Sequence, residues 1–340
     1  MSVLVVGGAG FVGSNLVLKL LENQFEHITV IDNLISSESF NIPRDKRVTF
    51  IQGSITNDDI LSQVIDHFQY IFHLATYHGN QSSIHDPLAD HENNTLTTLK
   101  LFNHIKDFKN IKKVVYSSAG CSVAEKKFGH VEATTEDDPI KLEQDSPYSI
   151  SKIIGEFYSV YFHRQHKLPT VRARFQNVYG PREILGAGIW RGTPATVWRN
   201  VTPTFIYKAI NQLPLPVENN GIATRDFIYV DDIAQGLLQC ALNGQPGQVY
   251  NLASGRETSI FQLAQTINQL TQNKTPIQFL PPRPWDHSGN RFGSTLKSQT
   301  QLHFNAQVTL EEGLKRTIQW TKENMSTIQS CIQKHQNYMK

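Results

Sequence analysis

Hydrophobic residues in the first half of the chain form short unbroken runs, separated by stretches with helical periodicity. Continuous apolar runs are typical of strands that are buried on both faces of a parallel sheet. They predict strands at 2–6, 27–32, 47–51, 70–75, 112–118 and 170–175, and helices after the first strand, at 57–67, at 87–108 and from 147. Strands that alternate with helices indicate an α/β fold built on a doubly wound parallel sheet.

The pattern becomes less regular after position 180. Residues 182–200 are rich in Gly, Pro, Arg and Trp, and loops of this length are usually functional or disordered. Further helices are predicted at 201–211, 231–242, 258–272 and 309–334, with short strands at 225–230 and 248–252. The prolines between 281 and 286 exclude regular structure there.

A glycine-rich turn connects the first strand to the first helix. Gly7, Gly10 and Gly13 occupy the strand–turn–helix setting that the dinucleotide-binding fingerprint requires, with the pyrophosphate at the helix N-terminus. Asp32 ends the second strand about 20 residues further on, where a carboxylate binds the adenosine ribose and repels a 2′-phosphate. The alternative for Asp32 is a strand-end cap, but the glycine turn favours a bound NAD.

Tyr148 and Lys152 are four residues apart in a predicted helix that begins with Ser146 as N-cap and Pro147 as its first residue. Residues at this spacing lie on one helix face. A cation beside a phenol favours the phenolate and lowers its pKa from about 10, which makes a tyrosine useful as a base. The spacing alone is more typical of a surface pair, so the catalytic interpretation depends on the rest of the chain.

Composition excludes several classes of function. The 340 residues carry a net charge of +2, too small to indicate nucleic acid or an anionic membrane surface. No apolar stretch is long enough to span a membrane, and the 13 histidines show no metal-ligand spacing, so we expect no metal. Three scattered cysteines suggest free thiols, and the chain begins directly with a strand, so we expect a cytoplasmic protein.

These motifs together resemble the extended short-chain dehydrogenase/reductase family, and within it the NAD-dependent nucleotide-sugar epimerases and dehydratases. The resemblance covers nearly the whole chain. It also includes 73–75, Ser83 with Pro87, Asn94, 174–181 and 225–232. It implies a Rossmann domain at 1–178, to which parts of 225–255 return, and a smaller C-terminal α/β substrate domain at 179–340.

The resemblance also implies roles for individual residues. Tyr148 would be the general base, Lys152 would tune it and bind the nicotinamide ribose, and Ser118 would bond the same sugar oxygen. The implied NAD-binding set is Gly7, Gly10, Phe11, Val12, Gly13, Asp32, Asn33, Ser54, Ile55, Leu74, Ala75, Asn94, Ser117, Tyr148 and Lys152. The implied ligands of a nucleotide-diphosphate sugar are Ser83, Asn177, Arg191, Arg225 and Arg283. Arginine suits such a site because its fork binds phosphate oxygens in pairs.

Departures from the family pattern narrow the reaction. Ser54 replaces the aspartate that usually bonds the adenine. Ala119 and Gly120 occupy the positions that carry an Asp-Glu pair in the 4,6-dehydratases and a Glu in the decarboxylases, and neither residue can move a proton. Cys121 lies near the position of a cysteine acid/base in GDP-mannose 3,5-epimerases, so it is a possible acid/base here, although filling space is the alternative.

The sequence therefore favours an NAD-dependent 4-epimerase that acts on a UDP-hexose through a transient 4-keto intermediate. A 3,5- or 2-epimerase or a dehydratase on the same scaffold stays open, as does a non-catalytic NAD-binding regulatory protein. The family further implies a homodimer formed through the long helices near 90–107 and 147–166, where Ile153, Phe157, Val160 and Tyr161 are spaced for one buried face.

Overall fold

The computed structural model describes residues 1–120, 128–286 and 289–340. Its strands are β1 Ser2–Val6, β2 His27–Asp32, β3 Val48–Gln52, β4 Tyr70–His73, β5 Lys113–Ala119, β6 Thr170–Phe175, β7 Asn177–Tyr179, β8 Pro216–Glu218, β9 Thr224–Arg225, β10 Phe227–Tyr229, β11 Val249–Leu252, β12 Thr258–Ser259 and β13 Gln278–Leu280. Its helices are α1 Phe11–Glu22, α2 Asp58–Leu61, α3 Asn80–His85, α4 Pro87–Asp90, α5 Thr97–Ile105, α6 Pro147–His166, α7 Ala195–Trp198, α8 Val201–Ile210, α9 Val230–Leu242, α10 Ile260–Thr271, α11 Leu296–Leu302, α12 Leu310–Glu323 and α13 Met325–Gln333. A π-helical stretch, His91–Leu96, joins α4 to α5.

A seven-stranded sheet in the order β11-β6-β5-β4-β1-β2-β3 forms the centre of the molecule. All six pairings within it are parallel. Val3, Leu4 and Val5 of the central strand β1 are fully buried, which explains why this strand is apolar without alternation. The chain order reverses between β1 and β4, and ligands of such sheets bind at this point, beyond the carboxyl ends of the strands.

Helices cover both faces of the sheet and enclose a separate core on each side. On one face, Leu16 and Leu20 of α1 pack with Leu237 of α9. On the other, Phe102 of α5 packs with Phe162 of α6. This two-sided cover confirms the predicted Rossmann-type α/β fold.

A third core lies in the second half of the chain. It joins α8, α10 and α12 through buried residues such as Phe205, Leu263 and Leu314. Three two-stranded sheets accompany it, with parallel pairings β10–β7 and β13–β8 and the antiparallel pairing β12–β9. Helix α9 and strand β11 come late in the sequence but pack with the central sheet. The predicted domain boundary at 178 stays a prediction.

Three predicted helices differ from the structure. The helix expected at 87–108 is divided by the π-helical stretch and ends at Ile105. The helix expected at 57–67 is only Asp58–Leu61, because Val64 and Phe68 reach the core from turns. The helix expected at 309–334 divides at Asn324, which ends α12 and precedes α13. Within the described ranges, no helix is long and apolar enough to cross a membrane.

Candidate active site

One large cavity, of about 770 Å³, opens at the carboxyl ends of the central strands. Its walls include the glycine turn after β1, the start of α6 and the loops that follow β6 and α7. Gly10, Asp32, Tyr148, Lys152 and Arg225 all line it. Residues that the sequence assigns to the cofactor, to chemistry and to the substrate therefore face a single space.

The glycine turn has the shape of a dinucleotide cradle. Gly7 has φ +86°, and a Cβ there would lie 2.5 Å from the backbone nitrogen of Ala75. A Cβ on Gly13 would lie 2.2 Å from the carbonyl oxygen of Gly7. Side chains are therefore excluded where α1 meets the sheet, and the backbone N–H groups at the start of α1 are open to an anion.

Asp32 is held rigidly at the end of β2. Its carboxylate accepts hydrogen bonds from the backbone N–H of Ala9 at 3.0 Å, from that of Leu34 at 2.8 Å and from the Ser37 hydroxyl at 3.1 Å. Burial raises the pKa of Asp32, while these hydrogen bonds oppose the rise. The backbone N–H of Gly10 also bonds the carboxylate, so the position of Asp32 on the cavity wall is fixed from several sides, where a ribose hydroxyl would meet it.

The start of α6 fixes Tyr148. Ser146 caps the helix by accepting the backbone N–H of Ser149 at 3.3 Å, and Pro147 is the first helical residue, as predicted. The backbone N–H of Tyr148 donates to the Ser83 hydroxyl at 3.2 Å. Ser83 is fully buried and itself donates to the carbonyl of Asn80, so its hydroxyl serves the backbone here. Its substrate-binding role stays a prediction.

Lys152 lies one turn further along α6 and is 4% exposed. Its Nζ donates to the carbonyl oxygen of Ser117 at 3.0 Å and is 5.8 Å from the centre of the Tyr148 ring. The hydroxyl of Ser117 donates to the carbonyl of His73. The buried ammonium is thus anchored to the end of β5 and stands beside the phenol.

Ser118 is turned toward a buried ion pair. Its hydroxyl donates to Glu156 at 2.6 Å, and Arg174 binds the two carboxylate oxygens of Glu156 at 2.8 and 2.9 Å. Burial opposes ionisation of Glu156, but the hydrogen bonds and charges of Arg174, Ser118 and Arg172 outweigh it and lower the pKa. Since the single proton of Ser118 is given to Glu156, only its lone pairs are open to a sugar hydroxyl.

Eight of the remaining predicted cofactor ligands line the cavity, and Asn94 is not among its lining residues. Those that line the cavity are Phe11, Val12, Asn33, Ser54, Ile55, Leu74, Ala75 and Ser117. Asn94 is 3% exposed, and its amide is fully used: it accepts from the Tyr77 backbone N–H and the Thr76 hydroxyl and donates to Asp90 and Ser151. Asn94 therefore connects the loop after β4 to α6.

Asn177, Arg225 and Arg283 also line the cavity. Arg225 donates to the carbonyl of Gly289 at 2.8 Å, and Arg283 forms an ion pair with Glu218. Two guanidinium groups thus line the same cavity, and this residue type suits a diphosphate.

Arg191 contacts a different part of the site. Its guanidinium donates to the Ser36 hydroxyl and to the carbonyl of His78, both at 3.0 Å, and burial lowers its pKa to about 10. The neighbouring Arg199 also donates to Ser36, at the backbone carbonyl. Both cations meet the loop that follows Asp32, so Arg191 lies nearer the predicted cofactor end than the sequence suggested.

Three cavity residues escaped the sequence analysis. His78, Glu183 and Asn200 form a chain in which Asn200 bonds Glu183 at 2.6 Å and the His78 ring at 3.3 Å. The His78 ring stands at 79° to the Tyr148 ring with their centres 5.7 Å apart. The sequence predicts that the loop at 182–200 is functional or disordered, but it does not predict the contact of Asn200 with His78, which is 122 residues away. Glu156 had a clearer signal, because it continues the four-residue spacing of Tyr148 and Lys152.

Two predictions from the sequence remain: Cys121 as a possible acid/base, and the absence of a metal site. Cys121 lies outside the described residues. In the part of the chain that the structure describes, no cluster of His, Cys, Asp or Glu could hold a metal ion.

Comparison with known proteins identifies the family. Residues 3–253 match the model of the NAD dependent epimerase/dehydratase family. The chain is 60% identical to the enzyme WbmF of Bordetella bronchiseptica, which was solved in complex with NAD+ and UDP. The match covers 99% of this chain and 97% of WbmF, with a TM-score of 0.91. WbmF has also been solved with NADH.

More distant relatives agree. Epimerase Mth375 of Methanothermobacter thermautotrophicus is 37% identical over 97% of this chain and 94% of its own, with a TM-score of 0.88. A putative UDP-glucose 4-epimerase of Methanocaldococcus jannaschii is 29% identical and covers 96% of this chain and all of its own. The chain therefore belongs to the NAD-dependent epimerase/dehydratase family, as its resemblance to nucleotide-sugar epimerases predicted, and its cofactor is NAD.

Proposed function

We propose that this enzyme inverts carbon 4 of a UDP-hexose through a transient 4-keto sugar, with Tyr148 as the general base. One observation carries the proposal. Tyr148 and Lys152 face the same cavity as the glycine turn and the predicted diphosphate ligands, and the ammonium of Lys152 is buried 5.8 Å from the Tyr148 ring. A cofactor, a tuned base and a phosphate site in one space are the parts that oxidation of a bound sugar requires.

The bound NAD would supply hydride transfer, accepting a hydride from a sugar carbon and returning it. Its adenosine ribose would meet Asp32, its pyrophosphate the start of α1, and its nicotinamide ribose Lys152. The protein's own chemistry is then proton transfer. Tyr148 takes the proton of the sugar hydroxyl during oxidation and returns it to the same oxygen during reduction, so no further acid or base is needed.

The relatives support uridine diphosphate as the nucleotide of the substrate. WbmF binds UDP in its crystal structure, and several relatives are named as UDP-glucose 4-epimerases. Asn177, Arg225 and Arg283 supply polar groups in the cavity that a diphosphate of this kind would meet.

Dehydration and decarboxylation fit the cavity less well. Ala119 lines it without a proton to exchange, and Gly120 has no side chain; a Cβ there would lie 2.2 Å from the side-chain amide of Gln176 and would displace it. The acidic pair that water loss uses is therefore absent at both positions. Inversion at a carbon flanking the ketone would need a second acid or base at the sugar.

Turnover in deuterated water tests the proposal. The NAD-loaded enzyme is incubated with UDP-glucose, UDP-galactose, UDP-N-acetylglucosamine and UDP-glucuronate, and the products are analysed by NMR. Hydride return at carbon 4 leaves every carbon-bound hydrogen in place, so we expect the 4-epimer of one substrate without deuterium. Deuterium at a neighbouring carbon would instead establish epimerisation beside the ketone, and the absence of turnover would favour a regulatory NAD-binding role.

We also propose a cytoplasmic homodimer. Phe157 and Tyr161 are 59% and 52% exposed on α6, and Ile150 lies two turns before Phe157 on the same face at 46%. Ile153 is instead part of the core at 7%. A stripe of exposed apolar side chains on a long helix is typical of a subunit interface. Cys240 and Cys331 are buried free thiols, in keeping with a reducing compartment.

A further inference from the structure

A buried carboxyl group faces the cavity without a full set of partners. Glu183 follows Tyr179-Gly180-Pro181-Arg182 and is 5% exposed. Its Oε1 accepts from the Asn200 amide at 2.6 Å, while its Oε2 has no hydrogen-bond partner among the described residues. Leaving a buried acceptor unsatisfied is costly, and such an atom in a ligand cavity indicates a missing donor.

A strained turn holds this group in place. Arg199 has φ 43° and ψ −117°, a conformation that L-residues rarely adopt. Such strain persists where the surroundings enforce it, and it concentrates at functional sites. The turn presents Asn200 so that its side chain reaches Glu183 on one side and His78 on the other.

The same contacts place Glu183 on the reacting side of the cavity. His78, bonded to Asn200, meets the ring of Tyr148 edge-on. Burial and the charges of Arg191 and Arg199 lower the pKa of His78 to about 4, so this bridge is neutral near pH 7. Glu183 is thus connected to the base of the reaction by two uncharged side chains.

Charge decides which part of a ligand Glu183 can meet. Burial raises the pKa of Glu183 to about 7, so above that pH it is a carboxylate and repels the two diphosphates, for which the glycine turn, Arg225 and Arg283 are already available. The nearby cations Arg191 and Arg199 donate to Ser36, on the loop after Asp32. The charge of Arg199 acts on Glu183, but the Nε atoms of Arg191 and Arg199 and the Oε2 of Glu183 all lack a hydrogen-bond partner among the described residues, so neither arginine binds this oxygen. The donors that a nucleotide-sugar can bring to Oε2 are the hydroxyl groups and any amide N–H of its sugar.

We propose that Glu183 positions the substrate by accepting a hydrogen bond from a hydroxyl or amide N–H of the sugar ring. Asn200 holds the carboxyl group on the side of the cavity where Tyr148 lies. The inference depends on the proposed nucleotide-sugar substrate, but not on which carbon is inverted. Glu183 would act as a specificity-determining contact, one that the resemblance to the family did not assign.

Binding experiments separate this contact from turnover. In a Y148F background that prevents turnover, calorimetry gives the dissociation constants of UDP, UDP-glucose and UDP-N-acetylglucosamine for the NAD-loaded protein. Dividing the dissociation constant of UDP by that of each UDP-sugar gives the factor by which the sugar strengthens binding. We expect Glu183→Ala to reduce this ratio by about tenfold to a hundredfold, the effect of one hydrogen bond to a charged group, and to leave UDP binding unchanged.

Two further variants exclude a structural explanation. Glu183→Gln keeps the size and the bond from Asn200 but replaces Oε2 by an amide N–H, so it should also lower the ratio while its urea midpoint is not reduced. Glu218→Gln alters the carboxylate that pairs with Arg283, and it should change the constants for UDP and UDP-sugars by the same factor.

Deoxy analogues of UDP-glucose then identify the donor. In the Tyr148→Phe background, the analogue that lacks the contacted hydroxyl should give the same ratio of dissociation constants with and without Glu183→Ala. If the contact is made by an acetamido N–H instead, Glu183→Ala should change the ratio only for UDP-N-acetylglucosamine. Equal weakening of UDP and UDP-sugars in Glu183→Ala would overturn the proposal, as would weakened NAD binding with an unchanged ratio. Because no arm measures catalysis, failure of 4-epimerisation is recognised separately.

Discussion

Replacing Ser118 by alanine tests the way in which the structure uses this hydroxyl. The hydroxyl donates at 2.6 Å to the carboxylate of Glu156, and both groups are at least 97% buried. Hydrogen bonds to charged groups contribute about 1.5–3 kcal/mol. Arg174 still binds both oxygens in the variant, so the carboxylate is not left unpaired. We therefore expect the free energy of unfolding to fall by about 2 kcal/mol.

The neighbouring serine provides a matched control. Ser117 is similarly buried on the same strand, but its hydroxyl donates to the uncharged carbonyl of His73 at 3.0 Å. Ser117→Ala should therefore cost about 0.5–1.5 kcal/mol, the usual value for a neutral hydrogen bond. Urea unfolding at pH 7.5, followed by circular dichroism, measures both variants on the apoprotein.

Acid should reduce the difference between Ser118→Ala and the wild type. The pKa of Glu156 lies below its ordinary value of 4.5 in the folded protein, so its stabilising contribution is complete above pH 4.5 and is lost as the pH falls through the folded pKa. The reasoning is refuted if Ser118→Ala unfolds within 0.5 kcal/mol of the wild type at pH 7.5 (roughly the error of such measurements). A parallel measurement of kcat reports on the predicted sugar contact.

Three other outcomes follow from the structure. Gly13→Ala places a Cβ 2.2 Å from the Gly7 carbonyl oxygen, so titration should show NAD affinity reduced at least tenfold (a change of about 1.4 kcal/mol); wild-type affinity would contradict the cradle. Burial raises the pKa of Glu183 to about 7, so the apoprotein loses stability as the pH rises from 4.5 to 7, and Glu183→Gln should unfold at higher urea than wild type at pH 8 but not at pH 4.5. Phe157→Asp should give a monomer in light scattering, whereas Ile65→Asp, at a similarly exposed site, should not; equal masses would argue against the α6 interface.

The central sheet was predictable because its strands are buried on both faces. That burial requires continuous apolar runs, and the glycine turn then fixes where α1 begins. The start of α6 was predictable for a similar reason, since Ser146 and Pro147 act within one turn. Helix geometry likewise explains why the four-residue spacing predicted that Tyr148 and Lys152 share one face, and both line the cavity.

Features that depend on distant contacts were missed. Val64 and Phe68 are apolar at helical spacing, yet they enter the core from turns, so the pattern overestimated α2. Glu183 meets Asn200 across 17 residues, and Asn200 meets His78 across 122, so the pairing depends on the tertiary fold. The sequence predicts Ser118 at the site, but the direction of its hydroxyl depends on the buried pair of Glu156 on α6 and Arg174 on the neighbouring strand β6.

The role of the phenol remains the central claim, and Tyr148→Phe tests it most directly. The variant keeps the ring beside His78 and Lys152 and removes only the group that exchanges the proton. Turnover of a UDP-hexose is measured together with the binding of NAD and UDP. We expect kcat to fall at least about a hundredfold, as for loss of a general base, with both ligands bound as tightly as before. Unchanged turnover, with the same ligands bound, would contradict the account.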